Sequence, residues 1–237
     1  MNLLTVSPGQ IDGDGTFYAS PEQSEHIACI LHANAGDRIR TGVLGGKIGF
    51  AELIEPSKRK AKLRILTLEK DPPAKKKLQF VIALPRPQSF KKCLHFIASA
   101  GIPCASFIQT ERVEKSYWNS AAMRPEAVER ELIEGLEQGV DTILPEIRFF
   151  RSFREWKQCS GTESFPGRKL IAHPVGALPC PAASAEPVLA AIGPEGGFIP
   201  SEVETFRELG FECVSLGEYI LRVEFALSYM TGRLTPL

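Results

Sequence analysis

The stretch that most narrows the choice of fold is an apolar run that ends in glycines and passes straight into a helix. Pro187-Val188-Leu189-Ala190-Ala191-Ile192 reads as a buried strand, and Gly193-Pro194-Glu195-Gly196-Gly197 follows it at once. Ser201-Glu202-Val203-Glu204 has capping-box character, so a helix should start there and stop near Gly210. The same pattern recurs on either side. Lys169-Leu170-Ile171-Ala172-His173-Pro174 is a strand ending in a loop, and Cys213-Val214-Ser215-Leu216-Gly217 is another, before a closing helix from Arg222 to Leu234. Strands that alternate with helices predict an α/β fold with a mainly parallel sheet, whose ligands sit outside the carboxyl ends of the strands.

The alternation begins at residue 78. Leu78 to Leu84 is a buried-type strand. Ser89 is positioned to cap a helix to Ala100, with Phe90, Leu94 and Ile97 on one side. Cys104 to Ile108 is a second strand; Pro125 opens a helix to Gln138 in which Val128, Leu132 and Leu136 recur; Phe150 to Gln158 suggests a short helix. Upstream the chain is β-rich. A hairpin with a Gly45-Gly46 turn, an alternating strand over residues 60–68 and a helix near Glu22 to Leu31 predict a small barrel. Asp71-Pro72-Pro73-Ala74 suits a linker, which divides the chain into domains at 1–72 and 73–237.

Charge is unevenly spread although the chain is neutral overall: residues 57–92 hold twelve Lys/Arg against two Asp/Glu, and residues 1–56 hold three against seven. Lys58-Arg59-Lys60, Lys75-Lys76-Lys77 and Arg86 are the candidate contacts to an RNA backbone. A lysine-rich strand edge kept soluble explains the same run equally well. No apolar run reaches the roughly 20 residues of a membrane span, and no secretory signal is apparent, so a cytoplasmic protein without membrane partners is expected. The cysteines at 29, 93, 104, 159, 180 and 213 form no C-x-x-C pair and the histidines no H-E-x-x-H, which favours free thiols and no metal site.

The glycine stretch is neither a dinucleotide fingerprint nor a phosphate loop. Its glycines let a backbone approach a ligand closely. Ile192-Gly193-Pro194-Glu195-Gly196-Gly197-Phe198 resembles the second signature of the RsmE family, the 16S rRNA uridine-N3 methyltransferases of the SPOUT class. Leu170-Ile171-Ala172-His173-Pro174 resembles the first signature, and residues 215–224, Ser215-Leu216-Gly217-Glu218-Tyr219-Ile220-Leu221-Arg222-Val223-Glu224, resemble the third. The resemblance implies a PUA-like β-barrel, then a domain with a C-terminal trefoil knot, a homodimer, and 16S rRNA of the small ribosomal subunit as partner. It also implies S-adenosyl-L-methionine as cofactor, held largely by main-chain groups of Ala172, His173, Pro174, Gly193, Pro194, Glu195, Gly196, Gly197, Leu216, Gly217, Ile220, Leu221 and Arg222. Uridine N3 must lose a proton, so a positive group near the anion helps. Arg222 is the candidate for that role, with a structural ion pair at the helix start as the other reading; Glu224 reads better as structural.

The sequence departs from the family pattern at several points. Val140-Asp141 stands where Gly-Arg is usual, Glu218-Tyr219 where Pro-Arg is usual, and Val223 and Phe225 replace threonines beside Glu224. Three readings follow: an rRNA uridine-N3 methyltransferase with a diverged pocket, a methyltransferase with another RNA target, and a non-catalytic RNA-binding or ribosome-assembly protein on the same fold.

Overall fold

The computed structural model describes residues 2–159, 161–174 and 177–236. They form two compact units, one of Met1–Ala74, Ala98–Gly101 and Leu132–Leu144, the other of Lys75–Ile97, Ile102–Glu131 and Pro145–Leu237.

In the first unit five strands, β1 (Leu4–Val6), β2 (Thr16–Tyr18), β3 (Arg38–Val43), β4 (Ile48–Glu55) and β5 (Lys62–Lys70), make one sheet in the order β1-β3-β4-β5-β2. β3 and β4 are the expected glycine-turn hairpin, pairing Gly42 with Ile48. Helix α1 (Pro21–Cys29) starts one residue before the predicted Glu22 because Ser20 and Gln23 exchange side-chain-to-backbone hydrogen bonds. Ile27 of this helix joins Leu4, Val6, Phe17, Ile39, Leu53 and Leu63 in one apolar core. Alternation along β3 and β5 sends Ile39 and Leu63 inward and leaves Arg38, Arg40 and Arg64 outside.

Strand β1 has no signal in the sequence. Three residues are too few to show a period, and the strand depends on distant partners. It runs parallel to β3, and the buried Glu137 carboxylate accepts from the Thr5 amide at 3.1 Å, the Thr5 hydroxyl at 3.0 Å and the Gln23 side chain at 2.7 Å.

In the second unit seven strands are paired throughout in parallel, in the order β10-β12-β9-β11-β6-β7-β8. They are β6 (Leu78–Ala83), β7 (Cys104–Ile108), β8 (Glu146–Phe150), β9 (Arg168–Ala172), β10 (Leu178–Pro179), β11 (Val188–Ile192) and β12 (Glu212–Ser215). The central strands β7 and β11 are buried at every residue, as strands covered on both faces are. The helices of the chain beyond α1 are α2 (Pro87–Ser99), α3 (Pro125–Gly139), α4 (Phe153–Cys159), α5 (Pro200–Glu208) and α6 (Val223–Leu234).

Two helix starts differ from expectation. α2 opens two residues before Ser89, with the Phe90 amide donating to Arg86 O at 2.8 Å. Ser89 is therefore inside the first turn, where its hydroxyl hydrogen-bonds the Glu224 carboxylate. α5 opens at Pro200, and the acidic group that caps it is Glu202, which accepts from the Ile199 amide at 3.0 Å. Ser201 and Glu204 lie two positions too far along to make the predicted box. Strand β8 is equally hard to read from sequence, because its exposed residues Glu146 and Arg148 break up its apolar pattern.

Candidate active site

β12, β9 and β11 are adjacent and parallel, and their register aligns Val214, Ala172 and Ile192. Their carboxyl ends therefore stop level at one edge of the sheet. From that edge leave Ala172-His173-Pro174, Gly193-Pro194-Glu195-Gly196-Gly197 and Leu216-Gly217, so the fold brings three sequence-predicted segments together. The His173 amide donates to Val214 O at 3.0 Å, which fastens the first loop to the third strand. Ile220, Leu221 and Arg222 follow in the connection from β12 to α6.

The central loop is fixed from both sides. Its turn closes where the Gly197 amide donates to Pro194 O at 2.8 Å. Gly197 at φ +72° and Gly217 at φ +118° hold backbone conformations that side chains disfavour, and a Cβ at either position would meet nothing within 4 Å. The far end of the loop is held by Phe198, whose ring centroid lies 4.9 Å from that of Phe206; Trp156 and Phe211 close on the same ring at 5.0 and 4.9 Å. Glu202 also accepts from the Glu111 amide at 2.8 Å, so its carboxylate ties the start of α5 to the loop after β7.

Charged side chains gather on the β6 and β7 side. Glu195 Oε1 accepts from the Arg86 amide at 3.1 Å and from Arg86 Nε at 3.2 Å. Arg112 Nη1 donates to Gly196 O at 2.5 Å. The Tyr117 phenol is held above its ordinary pKa, by burial first and then by Glu114 and Glu195, while Arg86 opposes them.

At the start of α6, Arg222 is the N-cap residue: its carbonyl accepts from the Phe225 and Ala226 amides at 3.0 and 2.8 Å. Its guanidinium is exposed and pairs with no carboxylate among the described residues. Glu224 is 6% exposed and pairs instead with Lys92 Nζ at 3.4 Å. Burial alone would raise its pKa, but its own amide, the Ser89 hydroxyl and Lys92 outweigh that and hold it below the ordinary carboxylate value. The structural reading of Glu224 is thus the one its surroundings support, with a partner in α2.

Leu178, Tyr219, Ile220, Phe225 and Tyr229 are exposed, Tyr219 and Ile220 almost completely, at 87% and 93%. The predicted RNA contacts fall in different units. Lys58, Arg59 and Lys60 form an exposed bend between β4 and β5, where Lys60 Nζ sits 4.3 Å from the Tyr18 ring centroid. Lys75, Lys76 and Lys77 open the second unit, with Lys76 Nζ on Thr235 at 3.3 Å and Lys77 Nζ on Ala185 O at 3.4 Å. Arg86 is engaged by Glu195. The unusual pair at 140–141 lies in the first unit: Val140 follows α3 at φ +58°, and buried Asp141 accepts from the Thr142 and Ile143 amides at 2.7 and 3.0 Å.

Residues 72–235 match the family model described as RNA methyltransferase domain. The chain is 31% identical over 208 residues to the ribosomal RNA small subunit methyltransferase E of Treponema pallidum, covering 85% of this chain and 77% of that protein. The chain belongs to the RsmE family of RNA methyltransferases. A second member, ribosomal RNA small subunit methyltransferase E 1 of Borreliella burgdorferi, is 28% identical over 86% of this chain and 85% of its own length. In structure, this RsmE-family chain superposes on a ribosomal RNA small subunit methyltransferase E from Neisseria gonorrhoeae bound to S-adenosyl methionine, with a TM-score of 0.70, 20% identity and 98% and 95% of the two chains covered. The chain therefore shares the α/β fold with its parallel sheet with that structure. None of the described helices is long and apolar enough to cross a membrane.

Two contacts of this RsmE-family site have no signal in the sequence. Arg112 lies in an irregular loop with no periodicity to assign its direction. The Lys92–Glu224 pair joins residues 132 apart in the chain, each of which reads alone as an ordinary helix charge.

Proposed function

We propose that this chain transfers the methyl group of S-adenosyl-L-methionine to N3 of a uridine in 16S rRNA of the small ribosomal subunit. Its relatives in Treponema and Borreliella carry the ribosomal RNA small subunit methyltransferase name, and the Neisseria structure holds the cofactor. The observation that carries the reading is the level edge of β12, β9 and β11, from which three loops, two of them glycine-bearing, open side by side. The residues there fit the group. Leu216, Ile220 and Leu221 supply apolar surface for an adenine, main-chain groups at Ala172 to Pro174 and at Gly193 to Gly197 supply donors and acceptors, and Gly217 leaves open the space a Cβ would fill. The bound cofactor would supply an already activated methyl group, so alignment does much of the catalytic work.

Arg222 is the chain's own contribution to the reacting base. Its backbone is fixed as the cap of α6 while its guanidinium is free to face an anion, which suits stabilisation of uridine as its N3 proton leaves. Arg112 and Arg86 act from the other side as positioning residues, by fixing Gly196 O and the Glu195 carboxylate.

The proposal extends to the assembly. Residues 1–72 form a PUA-like barrel domain that binds RNA through Lys58 to Lys60, and residues 73–237 form the methyltransferase domain with a trefoil knot. The order β9-β11-β6, in which a later strand lies between two earlier ones, supports the knot. Exposed Leu178, Tyr219, Ile220, Phe225 and Tyr229, large apolar side chains in β10, in the connection after β12 and in α6, support a homodimer, because exposed apolar surface marks interaction sites. Mapping methylated uridines in 16S rRNA from a deletion strain tests the function: one N3-methyluridine should vanish and return with the wild-type gene. Unchanged rRNA methylation would overturn it.

A further inference from the structure

The carboxyl edge that carries the cofactor loops does not stop at β11. The register runs on in one row from Ile192 to Ile82, Phe107 and Phe149, across β6, β7 and β8. Three steps between neighbouring strands, each about 4.8 Å, place the end of β8 roughly 14 Å along this edge from the end of β11. Arg86 and Arg112, which follow β6 and β7, are committed to Glu195 and Gly196. Arg151, which follows β8, is not. Its side chain is exposed and pairs with no carboxylate among the described residues, and its guanidinium lies 5.4 Å from the ring centroid of Trp118. Glu155 accepts from the Arg151 amide at 3.0 Å, so its carboxylate holds the turn into α4 instead. The indole beneath the guanidinium is fixed. Trp118 belongs to a 3-10 turn, Lys115–Asn119, and is 6% exposed. Its Nε1 donates to Gln109 Oε1, and Gln109 Nε2 donates in turn to Thr110 O at 2.7 Å and Val113 O at 2.8 Å. The Phe149 ring meets the indole edge-on, with centroids 6.4 Å apart.

We propose that Arg151, seated on Trp118, is a stacking platform for the base of an unpaired nucleotide that flanks the target uridine. The inference rests on the reading of the chain as an rRNA methyltransferase and adds a substrate subsite to the far end of the same sheet edge. An unstacked base packs on a guanidinium plane as it does on an aromatic ring. Contact with the indole orients that plane beforehand, so less side-chain freedom is lost when a base arrives. A base inside a duplex has both faces covered, so the nucleotide held here is single-stranded. The distance along the edge assigns the platform to a neighbour of the reacting nucleotide, which lies by the cofactor loops and Arg222.

The test is steady-state methylation of small ribosomal subunits isolated from the deletion strain, with the full-length wild-type chain, Arg151→Gln and Arg151→Lys. Arg151→Gln should raise KM for the particles about five- to a hundredfold, the range that follows from losing one base stack. Its kcat should stay within about twofold of wild type, because the contact is the same before and during methyl transfer. Arg151→Lys keeps the charge and loses the plane, so it should not restore KM. Affinity for S-adenosylmethionine and melting temperature should match wild type in both variants, which reports that they are folded. A KM within about twofold of wild type in Arg151→Gln overturns the proposal. So does full rescue by lysine, which would make Arg151 a contact of charge alone, and so does a fall in kcat at unchanged KM. Each of these results leaves the methyltransferase reading standing. That reading falls on a different result, a wild-type chain that does not methylate the particles, and the platform falls with it.

Discussion

The carboxyl edge of the parallel sheet and the outer face of the five-stranded sheet differ in how they are built. The first is a site of main chain: glycines, a proline, buried strand ends and amides already committed to turns. The second is a face of side chains: arginines on alternate positions and an exposed phenylalanine. A main-chain site needs a particular backbone path and so leaves a contiguous, ordered signature in the sequence. A side-chain site on a sheet is assembled across strands, and each strand contributes one or two residues that look ordinary alone.

The comparison breaks most sharply at Arg222, where the edge needs a side chain after all. Arg222→Ala should lower kcat by about a hundred- to a thousandfold, the usual range for removing a donor to a developing anion. Affinity for S-adenosylmethionine should change far less, because the residue's carbonyl still caps α6. Single-turnover methylation of 16S rRNA with parallel calorimetry reads both quantities. A kcat within threefold of wild type would return Arg222 to a purely structural role.

Next in size is the glycine loop. A Cβ at Gly196 would come within 3.2 Å of Arg112 Cδ, the side chain that also holds the Gly196 carbonyl. Gly196→Val should therefore raise the dissociation constant for S-adenosylmethionine at least tenfold, a cost of about 1.4 kcal/mol. Melting temperature should fall little, since Arg112 is exposed and able to move aside. An unchanged affinity would remove this loop from the cofactor site.

These two cases show what is legible in the sequence and what is not. Each signature lies within one short stretch, and the order of strands and loops around residues 168–223 follows from where apolar runs meet glycines. The pairing of β11 between β6 and β9 does not, because a fully apolar strand carries no mark of its neighbours. Arg38 and Arg40 are invisible for a different reason. They lie in a stretch with more acids than bases, residues 1–56, so a count along the chain hides them while the pleat of β3 gathers them. The lysine run at 75–77 stands out in the same count, yet Lys76 and Lys77 spend hydrogen bonds on Thr235 and Ala185. Charge density along a sequence measures something other than charge on a face.

Glu224 sharpens the difference through pH. Its carboxylate is buried, hydrogen-bonded and held below its ordinary pKa. A depressed folded-state pKa contributes stability above the unfolded-state value, and that contribution is lost as pH falls through the folded-state value. Glu224→Gln should cost about 1–3 kcal/mol at neutral pH, the size of hydrogen bonds to a charged group. The gap from wild type should close in acid, as pH falls through the depressed native value and the native carboxylate is protonated too. Urea unfolding at neutral and acid pH measures it, and a gap that stays constant with pH would mean that the charge of Glu224 contributes nothing.

The smallest effect tests the first unit. Val140 occupies the position just after α3, where a left-handed residue ends the helix and glycine is the usual choice. A β-branched side chain in that conformation costs about 1–2 kcal/mol, and part of this is offset because glycine loses more freedom on folding. Val140→Gly should therefore stabilise the chain by up to about 1 kcal/mol in urea unfolding. A variant no more stable than wild type would show that the surroundings of Val140 already compensate its left-handed backbone.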